Sequence, residues 1–412
     1  VRDVEVDVVI VGGGPAGSVC ASQLARRSIS TLVLEKERFP RFHLGESLLP
    51  CSTPILEEIG VREEIERAFI QKHGARFHDD VDGRKDRFSF DTGWKSEPKY
   101  AFQVPRDEFD HVLLRHARAC GADVREEHTV TRVIREGERI TGVEADSPDG
   151  PIRVRARFVV DASGRTALFA HESRATATIP GLDQTSLFAH FEGVPRESGI
   201  REGDIDIVMF RPAKDARPEW FWIIPFKDGR TSVGAVVSRA WVKSHGGDRD
   251  ALFRAAVAES KTASEMLAPA KMIWPRVEAT ADFSYRVRDM SGEGWLAIGD
   301  AGGFIDPLFS TGAHIAIVGG KQAADAIADT LASPADRGPI TEWGNGVRAA
   351  SETFIAAVQA FYAGPLVDYL FIEEKHLALR KSITSLLAGD VFHDAVWIRD
   401  ARRRLAEWAV HA

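Results

Sequence analysis

The sequence of 412 residues predicts an α/β fold in three parts, and three observations carry that reading. A β-branched run near the N-terminus leads into a glycine turn and a helical pattern, the usual opening of a parallel, helix-covered sheet. From about residue 184 to 275 the pattern changes to strands joined by short turns, as in an antiparallel sheet. The first pattern then returns, and the tail from about 340 to 412 reads as mostly helical.

Taken in order, Val4 to Val11 is a run suited to a buried parallel strand. Gly12-Gly13-Gly14-Pro15-Ala16-Gly17 forms the turn, and Ala16, Val19, Cys20 and Leu24 then recur on one helical face. A second strand, Ser30 to Leu34, ends at Glu35. Asp107 is the expected cap of a helix whose apolar stripe is Phe109, Val112, Leu113, His116 and Ala117, and Gly121 ends it. Strands follow at Val130 to Ile134, Ile140 to Ala145 and Ile152 to Val160. Leu187 to Phe191, Ile205 to Phe210, Trp220 to Phe226 and Thr231 to Val237 form the second sheet, with a hairpin at Asp228-Gly229. Trp295 to Ile298 returns to the first sheet, and a long helix runs from about Gly312 to Leu331.

Composition narrows the function classes. The chain is 44% hydrophobic and 28% charged, with a formal net charge of −8. That mildly acidic balance offers no electrostatic reason to bind nucleic acid or anionic lipid. The three cysteines, Cys20, Cys51 and Cys120, lie far apart, so neither a zinc site nor a disulfide framework is expected, and no metal is. No run of 18 apolar residues occurs, so no membrane span is expected, and a cytoplasmic location is the expectation.

The glycine turn carries the first chemistry. In Gly12-x-Gly14-x-x-Gly17 the glycines permit a tight turn, close approach of a pyrophosphate and close helix–strand packing. The helix N-terminus adds free N–H groups and a positive dipole end. Such a motif alone is weak, but here it follows a strand, opens a helix and precedes Glu35, whose carboxylate can accept from a ribose hydroxyl. One such fingerprint serves one dinucleotide, and no second one exists for a nicotinamide.

With Asp161-Ala162-Ser163-Gly164 and Gly299-Asp300-Ala301, this turn resembles the para-hydroxybenzoate-hydroxylase-like flavoproteins. The resemblance implies a Rossmann-like FAD-binding domain of the glutathione-reductase type, an inserted antiparallel-sheet substrate domain and a helical C-terminal region. The partition it implies is 1–75, 102–178 and 276–335 for FAD, 76–101 and 179–275 for substrate, and 336–412 for the tail. Gly12, Gly14, Pro15, Ala16, Gly17, Glu35 and Lys36 would hold the ADP half of FAD. Arg41, Glu46, Ser47, Arg106, Val130, Asp161 and Gly164 would add further contacts. Asp300 would meet the ribityl chain, and Pro307, Gly312 and Ala313 would approach the flavin ring. Narrower motifs resemble the flavin-dependent halogenases, in particular their carrier-dependent subgroup. They are the WxWxIP motif Trp220 to Pro225, the segment Phe39 to Pro50, the segment Gly299 to Ala316, Lys72 before His73-Gly74-Ala75, and Leu386 to Phe392.

Each residue so marked has a plain structural reading beside the functional one. Trp220, Trp222 and Ile224 share a sheet face and could simply be core; the family implies a wall that keeps organic substrate from the flavin. Lys72 could be a surface charge; the resemblance makes it a buried amine that handles hypohalous acid. Ser310 or Thr311 could cap a helix; the same N–H groups could hold a halide at Thr311 and Gly312.

The activity the resemblance implies is halogenation with FADH2 from a separate reductase. Oxygen would give a flavin hydroperoxide, and chloride or bromide would be oxidised to hypohalous acid. Lys72, with Ser310, Trp220 and Trp222 around the path, would direct it to a small electron-rich aromatic of the phenol or pyrrole type. That substrate could be tethered to an acyl or peptidyl carrier protein. Two rivals share the fold: a flavin monooxygenase or prenyl-type double-bond reductase, and a non-enzymatic escort protein, which would not need the intact fingerprint kept here.

Overall fold

The β-branched run at the N-terminus forms the strand Arg2–Val11, whose last four residues are fully enclosed. It lies at the centre of a sheet with a parallel core. Ile152–Asp161 and Thr31–Leu34 pair with it on either side, and Trp295–Ala297 and Asp123–Arg125 extend the core outwards. Thr129–Glu136 and Arg139–Asp146 form an antiparallel flap on Ile152–Asp161. The structure is a computed structural model and describes residues 2–95, 97–173, 175–281, 283–371 and 376–410.

Two helices cover the parallel core where nucleotides bind such sheets: Pro15–Arg26 after the glycine turn, and the 22-residue Thr311–Ala332. The helix Arg106–Ala119 begins one residue ahead of Asp107, behind Pro105. Asp107 is therefore the second helical residue and not the N-cap, and its Oδ1 accepts from the neighbouring Glu108 N at 3.0 Å. Proline at the N-cap fixes the entry dihedral of the chain and moves the helix start one residue forward of the expected cap.

The second sheet runs Lys271–Met272, Gln184–Glu192, Arg230–Ser238, Glu219–Pro225, Ile205–Phe210, Gly74–Asp79, Arg84–Ser89, with Glu278–Ala281 also on Gln184–Glu192. It is antiparallel except at one seam, where Ile205–Phe210 pairs parallel with Gly74–Asp79. The chain passes through the first sheet between those two strands and re-enters in the same direction. Alternation along Glu219–Pro225 divides the packing. Trp220, Trp222 and Ile224 join the main core, while Phe221 and Ile223 join a second core under the helix Arg249–Glu259.

The C-terminal region is helical, with Gly338–Tyr362 and Leu377–Leu387 its most buried segments. The turn after Leu387 is tied inward at two points. Cys51 N donates to Ala388 O at 3.0 Å, and His314 Nε2 lies 2.9 Å from Gly389 O. Among the described residues no helix is long and apolar enough to cross a membrane.

Candidate active site

A cavity of about 710 Å³ runs from the glycine turn to the second sheet. That volume lies within the ~300–1,000 Å³ typical of ligand pockets. At the nucleotide end Gly12 has φ +108°, and a Cβ there would sit 2.3 Å from Ala162 O. At Gly14 a Cβ would touch only the Arg41 side chain, with Nη2 3.6 Å away in ordinary van der Waals contact. The first glycine makes the turn and the second leaves the cradle empty, which is the shape a pyrophosphate requires. Glu35 fixes the turn from below: Oε2 accepts from Gly13 N at 2.7 Å and Oε1 from Glu37 N at 2.8 Å. The residues present therefore fit a dinucleotide.

A buried ionic frame stands beside this cradle. Asp110 is fully enclosed and accepts from Arg106 Nε at 2.7 Å, Arg106 Nη2 at 3.0 Å and Arg41 Nη1 at 2.9 Å. Burial alone would raise the Asp110 carboxyl, but the two guanidiniums hold it below its ordinary value. Arg106 Nη1 also donates to Leu44 O and Gly45 O, which anchors the segment carrying Glu46 and Ser47 to the cavity wall. Asp300 faces the cavity, and burial pushes its carboxyl up to about 6 against the opposing charges of Arg106 and Arg165.

The second sheet closes the other end with Ser186, Phe188, Ile205, Trp222 and Ile224. Trp222 Nε1 donates to Ser232 Oγ at 3.1 Å, so the indole is held flat in the wall. His190 stands two residues beyond Phe188 on the same face, with Nε2 2.8 Å from Glu46 Oε1. Glu46 Oε2, His190 Nδ1 and Ser186 Oγ are buried without a hydrogen-bond partner. Of the three, Glu46 and Ser186 line the cavity, where a bound ligand would meet their unpaired oxygens; His190 stands one layer back behind Glu46.

Lys72 lies behind the cavity-lining Ser47 and is 2% exposed. Its Nζ donates to Ser47 Oγ at 2.9 Å and Leu48 O at 3.1 Å and sits 5.4 Å from the centre of the Phe90 ring. Burial lowers its pKa to about 7, with Asp204 pulling the other way. A good part of the population at neutral pH is therefore the free, nucleophilic amine.

The loop 306–313 enters the cavity from the side of the long helix. Asp306 Oδ1 accepts from Leu308 N at 2.9 Å and caps a short turn Pro307–Phe309. Ser310 follows with φ +54° and ψ +33° and makes no side-chain capping bond to the helix it precedes. Thr311, Gly312 and Ala313 then line the cavity with the first turn of that helix. An uncapped helix start facing a cavity is a ready site for a small anion.

The structure thus brings most of the marked residues to one cavity: Gly12, Gly14, Pro15, Ala16, Glu35, Lys36, Arg41, Glu46, Ser47, Arg106, Val130, Gly164, Asp300, Pro307, Ser310, Thr311, Gly312, Ala313 and Trp222 all line it. Four stand one layer back. Gly17 packs its helix against Gly12 O. Asp161 accepts from Ser163 N and Ser163 Oγ with one oxygen and from Phe169 N with the other, shaping the turn whose Ala162 and Ser163 reach the cavity. Lys72 is behind Ser47, and Trp220, 0% exposed, donates from Nε1 to Tyr362 Oη at 2.9 Å. Sequence reasoning missed His190, Asp306 and Tyr362. The alternation Ser186, Phe188, His190 was a usable signal for the first; Asp306 and Tyr362 meet only through tertiary packing.

Residues 5–347 match the model of the FAD binding domain family. The 1H-pyrrole-2-carbonyl-[peptidyl-carrier protein] chlorinase of Pseudomonas fluorescens is 30% identical over 95% of this chain and 90% of its own. The corresponding brominase of Pseudoalteromonas luteoviolacea is 30% identical over 95% and 93%. Among solved structures, a flavin-dependent brominase superposes with a TM-score of 0.89 at 27% identity, over 99% of this chain and 100% of that one. The myxobacterial chondrochloren halogenase does so with 0.80 at 29%, over 98% and 97%. With a cavity shaped for a dinucleotide and relatives of this kind along nearly its whole length, the chain is an FAD-dependent oxidoreductase that belongs to the flavin-dependent halogenases.

Proposed function

We propose that this enzyme uses chloride or bromide and dioxygen to halogenate a phenol- or pyrrole-type ring carried on a peptidyl carrier protein. FADH2 would come from a separate flavin reductase. The observation that carries the reading is Lys72: an enclosed amine, its pKa lowered to about 7, hydrogen-bonded to the cavity-lining Ser47. The relatives that match over nearly full length act on a pyrrole-2-carbonyl group held by a carrier, which supports the tethered substrate.

Bound and reduced, FAD supplies the two-electron activation of dioxygen that halide oxidation requires. The chain's own residues set the conditions around it. Gly12 and Gly14 receive the pyrophosphate, Glu35 holds the turn, and Arg41 and Arg106 add positive charge. The free N–H groups at Thr311 and Gly312 hold the halide. Trp222 and Phe188 exclude the aromatic ring from the flavin chamber, so that only a small oxidised halogen species passes. The Lys72 amine binds that species by hydrogen bonding or as a haloamine and presents it to the ring.

The test is an assay with a flavin reductase, NADH, FAD, oxygen and either halide. Pyrrolyl-carrier protein and free phenols serve as parallel substrates, and products are read by mass spectrometry. Halogenated pyrrolyl carrier with wild type, and none with Lys72→Ala, is the expected result. Oxygenated products free of halogen would overturn the reading. Halogenation of free phenols alone would overturn the carrier.

A further inference from the structure

Three buried side chains from three parts of the fold form a chain that ends at the loop 306–313. Trp220 of the second sheet donates from Nε1 to Tyr362 Oη at 2.9 Å, and Tyr362 Oη donates to Asp306 Oδ2 at 3.1 Å. The other Asp306 oxygen accepts from Leu308 N at 2.9 Å. Tyr362 closes the helix Gly338–Tyr362 of the C-terminal region, and the Arg217 guanidinium lies 4.7 Å above its ring. Asp306 is 0% exposed and does not itself line the cavity, whereas Pro307, Ser310, Thr311, Gly312 and Ala313 do.

The backbone between them is strained. Ser310 holds φ +54°, which residues with a side chain seldom adopt, and its hydroxyl makes no capping bond in return. Such a conformation persists only where its surroundings impose it. Here the imposing contacts are the Asp306 cap on Leu308 and the bond from Ser310 N to Pro307 O at 3.0 Å. The left-handed residue is what turns the chain so that the Thr311–Ala332 helix starts at the cavity.

We propose that Tyr362 is a positioning residue for the halide: by holding Asp306 it fixes the turn that aims the Thr311 and Gly312 N–H groups at the anion. The inference rests on the halide site put forward under the proposed function, and it gives the C-terminal region a part in the reaction without a residue in the cavity.

The experiment uses the full chain loaded with FAD. Chloride and bromide are titrated while flavin absorbance is followed, and steady-state kinetics are measured against halide concentration. Tyr362→Phe removes one hydroxyl and keeps the ring. It should weaken halide affinity and raise the halide KM by about tenfold, the upper end of what one ordinary buried hydrogen bond contributes. kcat at saturating halide should stay within twofold, and FAD affinity should not change. Asp306→Ala should act in the same direction, and the double variant should lose no more than Asp306→Ala alone, because both changes act through one turn. Asp248→Ala, which removes the cap of the distant helix Arg249–Glu259, lowers stability and should leave halide affinity as it was. Halide affinity within twofold of wild type in Tyr362→Phe would overturn the inference. So would a fall in kcat with KM unchanged, or a loss that Asp248→Ala reproduces. If wild type itself shows no halide-dependent spectrum and no halide KM, the halide site fails and the inference with it. If wild type binds halide and Tyr362→Phe does so equally, only the inference fails.

Discussion

Lys72 Nζ and Ser47 Oγ stand 2.9 Å apart, and of the two only the serine lines the cavity. The amine is thus one hydrogen bond removed from the chamber. Enclosing a cation is destabilising unless it is paired, so Lys72 is kept at some loss of stability. Lys72→Met should abolish halogenation, by at least ~100-fold as for loss of a positioned catalytic group. The same variant should gain about 1 kcal/mol at neutral pH, as replacements of buried charge by apolar groups often do. Product assays and urea unfolding check both halves. A Met variant that is less stable and still active would refute the assignment.

The pH dependence follows from the same amine. Only its neutral form is nucleophilic, and that form grows as pH rises through about 7. The rate of product formation at saturating FADH2 should therefore climb between pH 6 and 8 and then level. Between about pH 7 and the ordinary lysine value of 10.5 the unfolded chain binds the extra proton, so Lys72 also makes stability rise with pH there. Lys72→Arg stays charged throughout and should be inactive at every pH.

Trp222 lies directly across from Gly234, and a Cβ at Gly234 would come within 2.1 Å of the indole. Gly234→Ala leaves the strand pairing possible but forces the ring into the cavity. Overpacking of this kind costs about 1–3 kcal/mol. FAD affinity should fall by about tenfold while the far-UV spectrum is retained, as read by flavin fluorescence titration. Unchanged FAD affinity would mean that the wall moves freely.

Asp110 holds two guanidiniums that both line the cavity. Asp110→Ala leaves Arg106 without its carboxylate partner and Arg41 with only the half-exposed Glu37, 3.3 Å away. Breaking a buried pair in this way costs about 3–5 kcal/mol. Asp110→Asn keeps the shape, and both variants should lower the urea midpoint, the alanine more. A loss under 1 kcal/mol in Asp110→Ala would show that the frame is solvated.

The parallel core and the glycine turn were legible because local signals agree there: β-branched runs, a turn that only glycine permits, and a helix at fixed spacing. Gln184–Glu192 and Glu219–Pro225 were legible for the same reason, since alternation names both faces of a strand. What local pattern could not carry is partnership across distance. The parallel seam between Gly74–Asp79 and Ile205–Phe210 depends on how the chain returns from the first sheet. The bond from Tyr362 to Asp306 joins residues 56 apart, and that from His190 to Glu46 joins residues 144 apart. Lys72 was marked by resemblance alone, because nothing around it in sequence distinguishes an enclosed lysine from a solvated one.

His314 gives a prediction on the tail. It is fully enclosed, with Nδ1 2.8 Å from Ser52 Oγ and Nε2 2.9 Å from Gly389 O, and it stands one turn into the helix whose start faces the cavity. Burial lowers its pKa to about 4 from an ordinary 6.5, although the Gly389 carbonyl favours the proton. The folded protein therefore stays unprotonated at this ring while the unfolded chain takes up a proton below pH 6.5. Stability is fully present above that value and is lost progressively as pH falls towards 4. At about 1.4 kcal/mol per unit, the loss attributable to His314 between pH 7.5 and 5 is roughly 2 kcal/mol. His314→Gln cannot titrate and should flatten the curve by that amount. Urea midpoints of the two proteins at pH 7.5 and 5 decide it, because the other titrating groups are common to both. Equal slopes would mean that the ring is already free to take a proton in the folded state, and that the 386–392 segment is not locked to the long helix through it.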